Sequence, residues 1–155
     1  MFSLIISIIS IALVAALAAA TVYFGGAAFN KGSAGADAST FINAGQQVAG
    51  AFTLASADGY TVTTVKNLSA NPTADETEGE VYLAQVPSYK GTEFALDTTD
   101  ANYVKVEVSD LVCAEVNNRA APGKALGTSS NVGLFGCAVD DTTTPAEWTA
   151  FYKVK

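Results

Sequence analysis

The chain has 155 residues, a formal net charge of −7 and a pI near 4.3, which allows one membrane-length helix and one head of roughly 100 residues. Its eight Lys and Arg are scattered, which argues against a phosphate-backbone partner, because such partners call for a clustered basic face. There is no histidine, so the commonest general base and the commonest transition-metal ligand are missing.

Residues 1–30 contain no Asp, Glu, Lys, Arg or His, and residues 2–24 are almost wholly apolar. A bilayer-spanning helix needs about 20 such residues. No Lys or Arg precedes the run, and it is longer than the apolar region of a usual secretory leader, so the pattern predicts a retained helix. Gly25 and Gly26 follow, a pair expected to loosen one helical turn.

A second helical pattern then begins. Ala34, Ala38, Phe41, Gly45, Val48, Phe52 and Ala55 recur at 4-3-4-3-4-3 spacing, while Lys31, Asp37, Asn43, Gln46 and Gln47 fall elsewhere on the helix. The two segments together predict a nearly continuous helix ending before Asp58-Gly59, about 80 Å long at 1.5 Å per residue.

From Tyr60 onward the periodicity shortens. Residues 60–65, 80–86, 103–108, 132–139 and 148–154 read as strands rich in Val, Thr and aromatic residues. The alternation of Val104, Val106 and Val108 with Tyr103, Lys105 and Glu107 marks a half-buried sheet. Ser109 is placed to cap a short helix over residues 110–119, with Asp110 near its positive end. Ala120-Ala-Pro-Gly stops that helix, and loops at 70–79 and 124–131 are expected to be exposed.

The fold expected is therefore α+β: a long N-terminal helix packed on a four- to five-stranded antiparallel sheet, with a C-terminal disulfide-bonded region. Residues 1–30 form the hydrophobic segment and 31–155 the head. Cys113 and Cys137 lie on the polar side of the anchor, which points to an oxidising compartment and one disulfide; two buried free thiols are the alternative. A bond would leave neither sulfur as a nucleophile or metal ligand. No cofactor or metal site is expected.

The remaining polar clusters read as ordinary surface. Asp75, Glu76, Glu78 and Glu80 lack the glycine and ligand spacing of an EF-hand loop. Asp97, Asp100, Asp140 and Asp141 read as turn residues, not a hydrolytic pair. Asn67-Leu68-Ser69 is a glycosylation sequon. Trp148, Phe151 and Tyr152 read as sheet or core residues.

An apolar opening Met1-Phe2-Ser3-Leu4-Ile5, its amphipathic continuation, a small β-rich head and a C-terminal cysteine pair together resemble a type IV pilin after leader removal. The stretch Tyr103-Val-Lys-Val-Glu-Val-Ser-Asp-Leu-Val-Cys113 looks most like the type IVb branch, in which a strand leads into a short helix carrying the first cysteine. The resemblance implies a major structural subunit of a surface filament used for adhesion, aggregation, motility or uptake, and no enzyme. It implies cutting before Met1 by a leader peptidase, methylation of the new amino terminus, residence in the inner membrane, and homopolymerisation by the pilus assembly machinery. Phe2, Leu4, Ile5, Ile8, Ile9, Leu13, Leu17 and Phe24 would pack the filament core.

The family usually has glutamate at the fifth mature position, where it meets the terminal amine of a neighbour; this chain has Ile5, or Ile6 if counting starts at Phe2. Ser3, Ser7 and Ser10 follow one helical face and stand as substitutes through interhelical hydrogen bonds, or else bond their own helix carbonyls. Gly25 and Gly26 would supply the flexibility that many pilins draw from a proline near position 22. Three other readings stay open: a monomeric membrane-anchored binding protein, an anchored enzyme, and a minor pilin or pseudopilin.

Overall fold

A computed structural model describes residues 2–69, 81–120, 133–140 and 147–155. One helix, α1 (Phe2–Ala57), runs through Gly25 and Gly26 without the loosened turn expected there. Each glycine costs a helix only about 1 kcal/mol, which the hydrogen-bonded turns on either side absorb cooperatively. The helix stops where expected. Gly59 takes φ +85° and donates its N–H to Ser56 O, while Tyr60 N–H reaches back to Ala55 O at 2.9 Å, the paired bonds of a Schellman stop.

The chain divides into two compact units, Met1–Ala34 and Gly35–Lys155. In the second unit, Ala38, Phe41, Gly45, Val48, Phe52 and Ala55 are all buried, so the apolar spacing read from the sequence marks the face that meets the core. Phe41 stacks on Phe94 at 5.7 Å between ring centroids and meets Tyr152 edge-on at 6.5 Å.

The main sheet is antiparallel with strand order β3-β4-β6-β5, built from β3 (Ala95–Leu96), β4 (Tyr103–Val108), β5 (Phe135–Asp140) and β6 (Glu147–Lys153). Val104 pairs Tyr152, Val106 pairs Ala150, and Cys137 in turn pairs Ala150, which sets these residues on one face of the sheet. Tyr103, Lys105, Phe151 and Ala138 share the other, where Tyr103 and Phe151 make a second small apolar cluster with Ala138.

A separate hairpin joins β1 (Ser88–Tyr89) to β2 (Thr92–Glu93). Its two-residue turn puts both Lys90 (φ 48°) and Gly91 (φ 88°) in the left-handed region, the geometry that matches the twist of the flanking strands.

Two expected strands are not strands. Residues 60–65 run into a 3-10 helix (Val65–Leu68) that buries Val65 and Leu68 at a spacing of three, with Val62 buried in the irregular stretch before it, which a β-type reading of Val and Thr composition misses. In the 80–86 segment, residue 80 lies outside the described residues. Residues 81–86 form no ladder beyond one parallel bridge from Leu83 to Ser69, because Tyr82 and Leu83 both spend their N–H groups on Leu68 O. The loops expected at 70–79 and 124–131 also lie outside the described residues.

Helix α2 (Asp110–Ala120) begins as read: Cys113 N–H donates to Ser109 O at 2.9 Å, and Asp110 Oδ1 accepts from Leu111 N–H. Cys113 on α2 and Cys137 on β5 form a disulfide with Cα atoms 5.4 Å apart, and both residues are buried.

Three contacts tie these elements together that no motif announces. Asn117 spans Cys137 with both amide atoms, Oδ1 accepting from its N–H at 2.8 Å and Nδ2 donating to its carbonyl at 3.1 Å. Arg119 donates to Gly35 O at 2.9 Å and to Ser39 Oγ at 2.6 Å, fixing the end of α2 to α1. Gly45 faces the Tyr152 ring so closely that a Cβ there would fall 2.4 Å from it.

Candidate assembly surface

From Phe2 to Phe29 every large apolar side chain is at least half exposed, from 52% at Ile5 to 85% at Phe2. Apolar residues surround the helix instead of forming a stripe, a pattern that belongs inside a membrane or a larger assembly. Phe2, Leu4, Ile5, Ile8, Ile9, Leu13, Leu17 and Phe24, the residues expected to pack a core, all belong to this surface. Met1 lies outside the described residues. At about 1.5–3 kcal/mol for each fully buried large apolar side chain, burying these eight would be worth on the order of 12–24 kcal/mol.

Among the three serines, Ser7 Oγ donates to Ser3 O at 2.9 Å and Ser10 Oγ donates to Ile6 O at 2.8 Å. Thr21 Oγ1 does the same to Ala18 O, so hydroxyls along this stretch are returned to their own helix. Tyr23 and Phe24 meet edge-on at 5.4 Å. A Cβ added at Gly25, Gly26 or Gly32 would meet nothing within 4 Å.

Several ionisable groups of the head are engaged in local structure. Asp97, 5% exposed, pairs through Oδ1 with Lys105 Nζ at 3.2 Å; the turn reading holds for its chain position but misses its burial. Asp100 accepts from Asn102 N–H and from Asn102 Nδ2, closing the turn before β4. The Asp75, Glu76, Glu78 and Glu80 cluster and Asp141 lie outside the described residues. Among the described residues no three His, Cys, Asp or Glu side chains gather to hold a metal ion. Asn67 sits in the 3-10 helix, its side chain hydrogen-bonded to Thr63 and Thr64. Phe151 and Tyr152 are buried, and Trp148 is half-buried on β6.

Lys90, at the hairpin tip, pairs with Asp37 of α1 at 2.8 Å. Its pKa is raised, chiefly because Asp37 accepts a hydrogen bond from its charged form, with Tyr89 adding to the effect. Burial raises the pKa of Tyr89, partly opposed by Lys90, and raises those of Tyr103 and Tyr152 as well. Beside Tyr103 the negative charge of Asp100 acts in the same direction; beside Tyr152 a hydrogen bond from Gln46 acts against it.

Among the described residues the head carries open depressions, one of about 430 Å³ lined by residues from 63–66 and 94–101, one of about 370 Å³ between the end of α1 and Val154, and one of about 220 Å³ beside the β1–β2 hairpin. Among the described residues the most extensive exposed apolar surface is that of the first half of α1.

No protein-family model matches the chain, and no match was found among curated proteins or solved structures. The chain combines a 56-residue N-terminal helix, apolar in its first half, with a disulfide near the C-terminus.

Proposed function

We propose that this chain is a structural subunit, the major pilin, of a type IV pilus-like surface filament. It waits in the inner membrane, is cut and methylated at Met1 by a leader peptidase, and is driven by the pilus assembly machinery into a homopolymer. The observation that carries this reading is the uninterrupted passage of α1 from an exposed apolar segment into the core of the head. From Phe2 to Ser33 every residue with described burial is exposed, a length of about 48 Å at 1.5 Å per residue. The hydrocarbon core of a bilayer is only about 30 Å thick.

A simple tether has no use for the surplus, whereas identical helices packed side by side would bury all of it. The small residues Ala12, Ala15, Ala16, Ala18, Ala19 and Ala20 favour close approach of such helices. Repetition of one head-to-tail contact with a rise gives an open helical filament, while a two-fold contact would close after two subunits. Adhesion, aggregation, motility or uptake would follow from the filament's outer wall of acidic heads.

Electron microscopy of material sheared from cells provides the test. Filaments of uniform width containing this chain are expected, and dispersed particles alone would reject the reading in favour of a monomeric anchored protein. The absence of an acidic side chain at Ile5 favours a second reading, a minor pilin or pseudopilin; the copy number of the chain in the filament separates the two.

A further inference from the structure

Asn117 lies one helical turn after Cys113, so the two side chains share a face of α2, and both meet β5 at Cys137. Asn is a poor residue for a helix interior, because its amide competes for backbone hydrogen bonds. Here the amide reaches across the fold. Its Oδ1 accepts from Cys137 N–H at 2.8 Å and its Nδ2 donates to Cys137 O at 3.1 Å, over a separation of 20 residues. Two directional bonds to one residue fix where its Cβ points as well as its distance from α2.

We infer that Asn117 is the positioning residue for closure of the disulfide. It sets the register of α2 against β5 before the sulfurs join, so that Cys113 and Cys137 meet as thiols already placed to react. Two observations carry this. Val112 and Val116, beside Cys113 on α2, are 1% and 0% exposed, so apolar packing docks the helix without help from sulfur. Such packing is non-directional and leaves the fine alignment to hydrogen bonds. Both Asn117 bonds, moreover, go to backbone atoms of Cys137 and not to its sulfur, so the reduced chain makes them equally well.

Closure needs a disulfide oxidant, RSSR. One cysteine thiolate displaces RS⁻ to form a mixed disulfide, and the second attacks the protein sulfur of that bond and displaces the other RS⁻. The two cysteines lose two electrons and two protons, and RSSR leaves as two RSH. The second step is intramolecular. Its equilibrium follows the effective concentration of one thiol about the other, which prior alignment raises.

The test uses the full-length chain in detergent, equilibrated with glutathione and glutathione disulfide. Asn117→Ala should lower the closure constant about tenfold, equal to about 30 mV in midpoint potential. Val48→Ala, which removes buried volume on α1, should lower the denaturant midpoint of the head and leave that constant unchanged. A second measurement involves no sulfur. In Cys113→Ser/Cys137→Ser the amide at position 137 should exchange with deuterium roughly tenfold more slowly than in the same chain carrying Asn117→Ala as well, while the amide of Val106 in β4 exchanges alike in both. A closure constant unchanged by Asn117→Ala, an equal fall in Val48→Ala, or equal effects on the amides at 137 and 106 would each overturn the inference. Should reduced Asn117→Ala fail to fold, the exchange comparison decides. Neither measurement depends on filament formation, so the filament reading is untouched by either result.

Discussion

Phe41, Val48 and Phe52, in the second half of α1, keep 2% or less of their surface in solvent, whereas Ile5, Leu13 and Leu17 in the first half keep more than half. The backbone is the same helix and the residue types overlap. The difference is in what the rest of the chain supplies. From Gly35 onward α1 is met by a sheet, by a hairpin salt bridge at Asp37 and by the Arg119 bonds at Gly35 and Ser39. From Phe2 to Ser33 every residue whose burial is described is exposed. Helices gain most of their stability from burying a face, and the described residues up to Ser33 bury none.

The contrast can be broken from either side, and the two halves should fail independently. The largest effect is expected from a charge in the apolar half. Leu13→Lys places an ammonium at the centre of the segment, at a cost of roughly 3 kcal/mol for membrane insertion. Filaments and membrane-retained chain should both be lost, as read by fractionation and microscopy, while chemical unfolding of the head in detergent stays as in the wild type.

On the head side, Cys113→Ser releases a bond that spans 24 residues. The loss expected is about 3 kcal/mol, measured as a lower denaturant midpoint for head unfolding. Next comes Gly45→Ala. Its methyl group would lie 2.4 Å from the Tyr152 ring, so the ring must move away from its stacking on Phe135, and a loss of about 1–3 kcal/mol is expected in the same measurement. Retention of full stability by Gly45→Ala would show that the helix and β6 are not in close contact.

The smallest effect is that of alkali. Tyr89, Tyr103 and Tyr152 hold their protons more tightly in the folded head than unfolded, as does Lys90. Groups with raised folded values contribute stability that is complete below the ordinary value, 10.0 for tyrosine, and is lost as pH rises through the folded values. Thermal melts should therefore be level between about pH 7 and 9 and fall above about pH 10, and Tyr152→Phe should lessen the fall. The apolar half carries no carboxylate to respond.

Where repetition is strong, the sequence was readable. The 34-38-41-45-48-52-55 spacing identified the buried face of α1, alternation in Tyr103–Val108 identified β4, and Ser109-Asp110 marked the start of α2. Reading failed where a partner distant in sequence decides the outcome. Val62 and Val65 look like strand residues, yet Val62 is buried in an irregular stretch and Val65 in a 3-10 turn, and β3 has only two residues, paired with Val104 and Lys105. The Asn117, Arg119 and Gly45 contacts join positions 20 to more than 100 residues apart, and none has a local signature. The exposed apolar surface, in contrast, was visible from composition alone, because its character depends on no other part of the chain.

Asn117 has one more consequence. β5 is the last strand of its sheet, and an unguarded last strand recruits the backbone of any extended chain that drifts alongside. By occupying both polar groups of Cys137, one amide imitates a neighbouring strand at the middle of that border. A chain lying alongside would there find the strand's outward backbone groups already engaged.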